Sequence, residues 1–328
     1  MIKSRSAVLR FLAAASVLLC VVSSAKAQEK VLLRMNLQPG QTFDEGTVME
    51  MQTSSKMPKM NMNITTTMHS GFHEEVLDVD KDGNIKLKAT FQKSTIDIRG
   101  DVAGKPIPSQ KNNSKNPSKN ASSALSPLAD YAGQSVVVTM TPQGKVLKVE
   151  GMDAIIQRAI SAIKDPKQRA AVQGMMKSNF KSSSMFSTGF GRFPETAVAV
   201  GDSWTSVVSE PMVMLPQISM KYTLMSSKDG VATIAVRADF SPNPQTPAGK
   251  TSQFQIKADI SGTESGVMRV DEKTGLTISS ELHVQMKDVM SMAVPKSTSK
   301  NKTKAAIPSS FTIDAKGVMR SWTVKLPQ

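Results

Sequence analysis

The sequence predicts a mainly β protein of the α+β class: curved antiparallel sheets from two related halves, joined and covered by an amphipathic helical segment. Three observations predict it. Polar turns ending in glycine recur between alternating apolar segments, at Asp80-Lys81-Asp82-Gly83, Pro142-Gln143-Gly144, Lys228-Asp229-Gly230, Lys273-Thr274-Gly275 and Ala315-Lys316-Gly317. Glycine supplies the positive φ that reverses a chain, and flanks such as Ile85 to Ala89 and Val136 to Met140 have strand composition, so each turn reads as a β-hairpin. In mid-chain the period changes. Met152, Ile155, Ile156, Ala159, Ile160 and Ile163 recur at helical spacing, which predicts an amphipathic helix over 152–164, and Pro166 opens a second, less regular one. Finally, the order of features repeats on either side of these helices. Gly40-Gln41-Thr42-Phe43 corresponds to Gly201-Asp202-Ser203-Trp204, each followed by a methionine-rich alternating strand and then by two hairpins.

The amino-terminal element is an address rather than part of the fold. Lys3, Arg5 and Arg10 precede the apolar run Phe11 to Val22, and Ala25-Lys26-Ala27 closes the segment, so 1–27 reads as a secretory signal peptide cleaved after Ala27. Cys20 raises the alternative of a lipidated cysteine, but Leu19 stands where a lipobox needs a small residue and Val21-Val22 continues the apolar core. On the main reading the mature chain has no cysteine, so it lacks disulfides and thiolate metal sites, has no transmembrane segment, and works in the periplasm or outside the cell.

The rest divides into a β half over 28–150, a helical connector over 151–190 and a second β half over 191–328. Loss of the four leader cations lowers the formal charge from +14 to +10. Much of this excess falls in Lys105 to Lys119, read as a disordered basic loop, and in Lys296 to Lys304. Neither stretch holds an aromatic residue, which argues against nucleic acid and leaves an anionic envelope surface as the partner such charge would meet. Aromatics are 5% of residues, too few for the interfacial girdles of an outer-membrane barrel.

Several of these segments recur in a recognisable order: Gly-Gln-Thr-Phe near the mature start, Val79 to Gly83, Thr141-Pro142-Gln143-Gly144-Lys145-Val146 leading into Val149 to Met152, and Phe193-Pro194-Glu195 before Val200 to Trp204. The combination resembles an uncharacterised family of exported bacterial β-rich proteins. The likeness spans most of the mature chain and brings no catalytic residues. In architecture, a curved antiparallel sheet with helices on its concave side is similar to the periplasmic lipoprotein-carrier and lipid-binding half-barrels.

Motifs that would carry chemistry fail on inspection. Asp78-x-Asp80-x-Asp82-Gly83 starts like a calcium loop, but its twelfth position is Ala89 where a carboxylate is needed. His69 and His73 lie beside Glu74 and Glu75, yet four residues of strand span about 13 Å, too far to share one ion. Ser265 in Gly262-Thr263-Glu264-Ser265-Gly266 sits off the position of a nucleophile elbow and lacks the following helix. No catalytic residue, resident metal or cofactor is expected, and the chain reads as a binding or carrier protein rather than an enzyme.

Methionine is the unusual component, with 22 residues and the pairs Met49/Met51, Met60/Met62, Met212/Met214 and Met290/Met292. Residues two apart on a strand share a face. Three readings stay open: ordinary strand cores, a groove of adaptable side chains for a lipid or other apolar ligand, and Cu(I) held by thioethers. The groove reading joins Met49, Met51, Met60, Met62, Met212, Met214 and Met220 with Ile155, Ile156, Ile160 and Ile163 of the helix. A structural envelope component without a small ligand is the remaining alternative. The intact mass of the protein recovered from outside the cytoplasm is expected to correspond to a chain beginning at Gln28; a diacylated species beginning at Cys20 overturns that.

Overall fold

The computed structural model describes residues 29–57, 60–107, 110–113, 131–161, 193–208, 216–242, 249–250, 255–293 and 310–326, with isolated positions 163, 166, 169, 170 and 173. The leader, Met212, Met214 and most of the second predicted helix lie outside these residues. The described strands are β1 (Lys30–Val31), β2 (Thr42–Met57), β3 (Met60–Val79), β4 (Ile85–Phe91), β5 (Thr95–Val102), β6 (Lys105–Pro106), β7 (Gln110–Asn113), β8 (Ser135–Met140) and β9 (Val146–Glu150). Helix α1 (Met152–Ser161) follows, then β10 (Val198–Ala199), β11 (Ser203–Val208), β12 (Gln217–Lys228), β13 (Val231–Ser241), β14 (Gly249–Lys250), β15 (Gln255–Asp271), β16 (Thr277–Ala293) and β17 (Ser310–Lys325).

All but β1 and β10 belong to one 15-stranded sheet, whose main path runs β11-β12-β13-β15-β16-β17-β2-β3-β4-β8-β9. Every pairing is antiparallel. The path ends at β9 and β11, which do not pair with each other, so the sheet is not a closed barrel. Early and late segments of the chain are joined by β17 lying against β2, from Thr312 opposite Lys56 to Lys325 opposite Phe43. Along β3 the partner changes: Met62 to His69 pair with β5, whereas Phe72 to Val79 pair with β4. Gly71 lies at that change and accepts a hydrogen bond from Gln92 N (2.9 Å), in the break between β4 and β5.

Four of the five predicted hairpins form, at the β3–β4, β8–β9, β12–β13 and β15–β16 turns, with positive φ at Gly83, Gly144, Gly230 and Gly275. The fifth does not. Ala315-Lys316-Gly317 is the interior of β17, paired on both sides with β2 and β16. Gly317 is there for close approach rather than reversal, since a Cβ at that position would stand 2.4 Å from the Glu50 carbonyl oxygen. The predicted Lys105 to Lys119 loop also changes: Lys105–Pro106 and Gln110–Asn113 are short strands on β5, while 114–119 lie outside the described residues.

The core gathers at one end of the long strands. Leu33, Met35 and Leu37 alternate inward from an extended segment and pack in one cluster with Val138 and Met140 of β8, Ile234 of β13 and Val270 of β15. That segment bridges two hairpin turns: Met35 N donates to the Pro142 carbonyl (2.6 Å), and Asn36 N donates to the Thr274 carbonyl (3.0 Å). Helix α1 starts after Gly151 and carries Asp153 in its first turn, where a carboxylate favours the helix dipole. It buries Met152, Ile155, Ile156 and Ile160 in the same cluster. Each large apolar side chain so buried contributes about 1.5–3 kcal/mol.

Gly275 fastens the bridging segment. Its φ is +74°, and a Cβ there would lie 2.3 Å from the Arg34 carbonyl oxygen, whereas Gly230 has φ +74° with nothing within 4 Å. Because the two share one backbone conformation, Gly230→Ala is expected to cost about 1 kcal/mol from the left-handed φ alone. Gly275→Ala adds displacement of the bridging segment and is expected to cost about 2 kcal/mol more, read as a lower urea midpoint; equal midpoints for the two variants overturn the fastening role.

Candidate functional site

Directly opposed residues of an antiparallel sheet share a face, so the register defines rows of side chains across the strands. One row runs Trp204, Tyr222, Val236, Gly266, Leu282, Met319, Met49, Met68, Ile96. Two residues further along the strands is Ser206, Met220, Ala238, Glu264, Val284, Gly317, Met51, Thr66, Ile98. Next comes Gly262, Met286, Ala315, Thr53, Ile64, Gly100, and then Ile260, Asp288, Ile313, Ser55, Met62, Val102. This face is largely apolar. The opposite face carries Arg237, Ser265, His283, Glu50 and Thr67 in one row and Lys287, Asp314, Ser54 and Asn63 in another.

Burial alternates with the same period. Met51, Thr53, Ile64, Thr66, Val284 and Met286 are half-buried, while Gln52, Ser54, Asn63, Thr65, Gln285 and Lys287 between them are exposed. Towards the core the apolar face is fully packed, as at Leu224, Ile234 and Met268. Away from it, Met51, Ile64, Val284, Met286 and Ile313 remain outside the core cluster. A cavity of about 830 Å³ is lined by the row from Gly262 to Gly100 together with residues on either side of that row in the same strands, among them Gln52, Ser54, Gln285, Lys287, Asp314 and Lys316 of the polar face, and not by Met51, Val284 or Ile313.

The structure therefore brings Met49, Met51, Met62 and Met220 to one face of one sheet, although they come from opposite ends of the chain. Met220 packs against the core cluster and accepts a hydrogen bond from the Tyr222 hydroxyl at Sδ (3.2 Å). Met60 stands opposite Met57 where β3 begins. The helix isoleucines part company with the methionines: Ile155, Ile156 and Ile160 are spent in the packed core, Ile163 is half-buried, and none of the four lines the cavity. Sequence reasoning missed Leu282, Val284, Met286, Ile313 and Met319 of the same face. The alternation from Ser280 to Met286 signals the first three, but reading a turn at Ala315 to Gly317 broke β17 in two and hid Ile313, Met319 and the register.

The rejected motifs have structural accounts. Asp80 caps the β3–β4 turn, its Oδ1 accepting from Asp82 N and Asn84 N (both 2.9 Å), and the side-chain bond from Asn84 leads the causes holding its carboxyl below the usual range. His69 is exposed, and His73 Nδ1 lies 2.8 Å from Asp44 Oδ1 across the β2–β3 pair. Ser265 lies inside β15. Among the described residues, no three His, Cys, Asp or Glu side chains are grouped to hold a metal ion.

Two acids that the sequence did not single out lie on the inner face of β2 and β3. Glu74 faces Phe43 and Ala89 and is 1% exposed, with Oε2 lacking a hydrogen-bond partner; Glu45, opposite Phe72, is the diagonal neighbour of Glu74 across the pair. Burial raises Glu45 to about 7, and burial together with the Glu45 charge raises Glu74 well above the carboxylate range.

With the geometry in place, comparison with known proteins is informative at one point. Residues 82–277, more than half of the chain, match the model of a family of unknown function, DUF6263. The protein belongs to that family. The uncharacterised family expected from the turn and strand motifs agrees with this, and no curated protein matches the DUF6263 chain. Among solved structures, 89% of the chain aligns at 8% identity and TM-score 0.42 with one described as lipid–protein interactions in lipovitellin, of whose chain it spans 26%. Pseudomonas aeruginosa OccK7 (OpdD) aligns with 88% of the chain and 100% of its own at 6% identity and TM-score 0.25. Likenesses at this level define neither a shared fold nor a shared ligand. No described helix is long and apolar enough to cross a membrane.

The buried acids set a pH dependence. A carboxyl whose folded pKa exceeds its unfolded value binds more protons in the fold, so its stabilising contribution is complete below about 4.5 and is lost as pH rises through the folded value, near 7 for Glu45. The melting temperature is expected to fall between pH 5 and pH 8. Glu74→Gln removes one ionisation and the repulsion, and should raise the pH 8 midpoint by about 2–6 °C; a melting temperature independent of pH in the native protein overturns the assignment.

Proposed function

We propose that the protein is a non-catalytic binding or carrier protein of the cell envelope, exported by its leader, which holds an acyl chain or similar apolar ligand on the inner face of its sheet. The observation that carries this reading is an apolar face that the described residues leave unpacked. Met51, Ile64, Val284, Met286 and Ile313 occupy successive rows outside the core cluster, where a sheet facing only water would carry polar residues. Methionine side chains adapt to chains of differing shape, and each buried methylene is worth about 0.8 kcal/mol. On this reading the repeated Gly-Phe and Gly-Trp motifs mark two related halves that each supply strands to one face. Helix α1 covers the core end of that face and leaves the far end to the ligand.

A second reading has its own observation. Met319, Met49 and Met68 are directly opposed on three neighbouring strands, which brings three thioethers into one row of the kind Cu(I) accepts. Competitive Cu(I) titration decides between the two, because Met49→Leu should weaken binding at least tenfold if copper is the cargo and leave acyl-chain binding within about twofold if it is not.

For the principal reading, displacement of the fluorescent probe N-phenyl-1-naphthylamine by dodecyl maltoside reports occupancy of the face. Met51→Lys and Met286→Lys are each expected to weaken probe binding at least tenfold while circular dichroism stays unchanged. Failure of the native protein to bind the probe, with no lipid co-purifying in native mass spectrometry, overturns the proposal.

A further inference from the structure

We propose that the polar face of the sheet, opposite the apolar one, binds an uncharged oligosaccharide, with the Trp322 indole as the surface on which one sugar ring stacks. This site is separate from the one proposed above and does not depend on it. Its first observation is the side on which the cavity opens. Side chains alternate between faces along a strand, so Gln52 and Ser54 of β2, Gln285 and Lys287 of β16, and Asp314 and Lys316 of β17 all project to the polar face. Thr53, Met286 and Ala315 between them project the other way and can meet the cavity only through their backbones. Met51, Val284 and Ile313, the next residues of the apolar face, take no part in its lining. The cavity of about 830 Å³ therefore opens on the polar face, with a size within the roughly 300–1,000 Å³ usual for small-ligand sites. The side chains that face it are amides, hydroxyls and charges of both signs.

The second observation lies on the same face, about 26 Å along β17 from Asp314. There Trp322 is 41% exposed and stands opposite Gly46, which in turn opposes Gly71. A Cβ at Gly46 would be 2.5 Å from the indole Cζ2, and one at Gly71 would be 2.9 Å from Gln92 Oε1. The indole and the Gln92 amide thus lie side by side on two glycines. Hydrogen-bonding groups flank this platform: Asp44 Oδ1 and His73 Nδ1 meet at 2.8 Å on one side, and Arg320 Nε donates to Glu281 Oε2 (2.8 Å) on the other. Between platform and cavity, on β15, β16, β17, β2 and β3, the apolar side chains of this face are limited to Val48, Val267 and Val318. A sugar ring has a face of C–H bonds and a rim of hydroxyls, so it fits an aromatic surface edged by polar groups, and amides and hydroxyls match the hydroxyl's capacity both to donate and to accept. Other ligands fit less well. A phosphate polymer needs basic residues interleaved with the aromatic, whereas Asp44, Glu281, Glu50 and Asp314 are set among the cations here. An extended peptide needs a free strand edge, and β16, β17 and β2 are paired on both sides.

Calorimetric titration with chitohexaose, cellohexaose and maltohexaose tests this at about 150 mM salt, where long-range charge attraction is screened. At least one of the three is expected to bind with a dissociation constant below about 1 mM. In the Trp204→Phe variant, which leaves Trp322 as the one tryptophan, that sugar should shift the emission to the blue. Trp322→Ala should weaken binding at least tenfold, and Trp322→Phe should keep it within about threefold. Because a ring laid over a strand glycine also steadies the sheet, the double variant Gln52→Ala, Gln285→Ala probes the cavity by itself; it should weaken binding at least fivefold with the urea midpoint unchanged. Met51→Lys, on the apolar face, should leave the sugar affinity unaltered, so the two sites stand or fall separately. Binding of none of the three sugars, tighter binding of dextran sulfate than of any of them, or an affinity that survives Trp322→Ala overturns the proposal and leaves the apolar site standing.

Discussion

Pairing of β17 with β2 is the constraint on which the rest depends. It holds from the core end of the strands to the cavity end without a shift in register, and it welds the strands before and after the helical segment into one surface. Side chains alternate with period two, so a slip of one residue here would turn Met49, Met51 and Thr53 outward and oppose them to Arg320, Val318 and Lys316. Nothing about the inner face survives such a slip. The rows across nine strands exist because this seam, and the β15–β16–β17 and β2–β3 pairings beside it, keep the apolar positions of each strand in step.

The two ends of that surface are treated differently. At one end Leu33, Met35 and Leu37 share one packed core cluster with residues of α1, β4, β8, β13 and β15. At the other, residues of the same chemistry stay half-exposed. At the packed end lie Glu45 and Glu74, the latter between Phe43 and Ala89, two carboxyl groups that burial raises. A protein selected only for stability would carry apolar residues of similar volume at such positions, since burying an unpaired carboxylate is costly even when protonation relieves it. The acids at the inner face thus set this sheet apart from a simple hydrophobic layer.

Local signals in the sequence were legible, and long-range ones were not. Turns at Gly83, Gly144, Gly230 and Gly275 could be read because a positive φ is a local requirement with a local residue preference. Helix α1 could be read from its period, and the methionine pairs from their spacing on strands. Gly317 misled because a glycine also serves where two backbones approach closely, and only the identity of the neighbouring strand, β2, distinguishes the uses. The extended segment at Leu33 to Leu37 gives a short alternating pattern like any strand, yet its hydrogen bonds go to two turns remote in sequence. Which methionines meet follows from register, which no single segment contains.

The seam between β2 and β17 also sets an order of events. A chain made from its amino terminus has β2 and β3 available early, but the partner for the other edge of β2 is the last described strand. Until β17 arrives, that edge presents unpaired backbone groups beside a row of methionines, a template open to any passing extended segment. Closing it requires contacts across nearly the whole sequence, which is slow relative to hairpin formation. The lifetime of this half-built sheet, rather than the stability of the finished one, then governs how much of the protein escapes aggregation, and it makes β17 the strand whose truncation would be least tolerated.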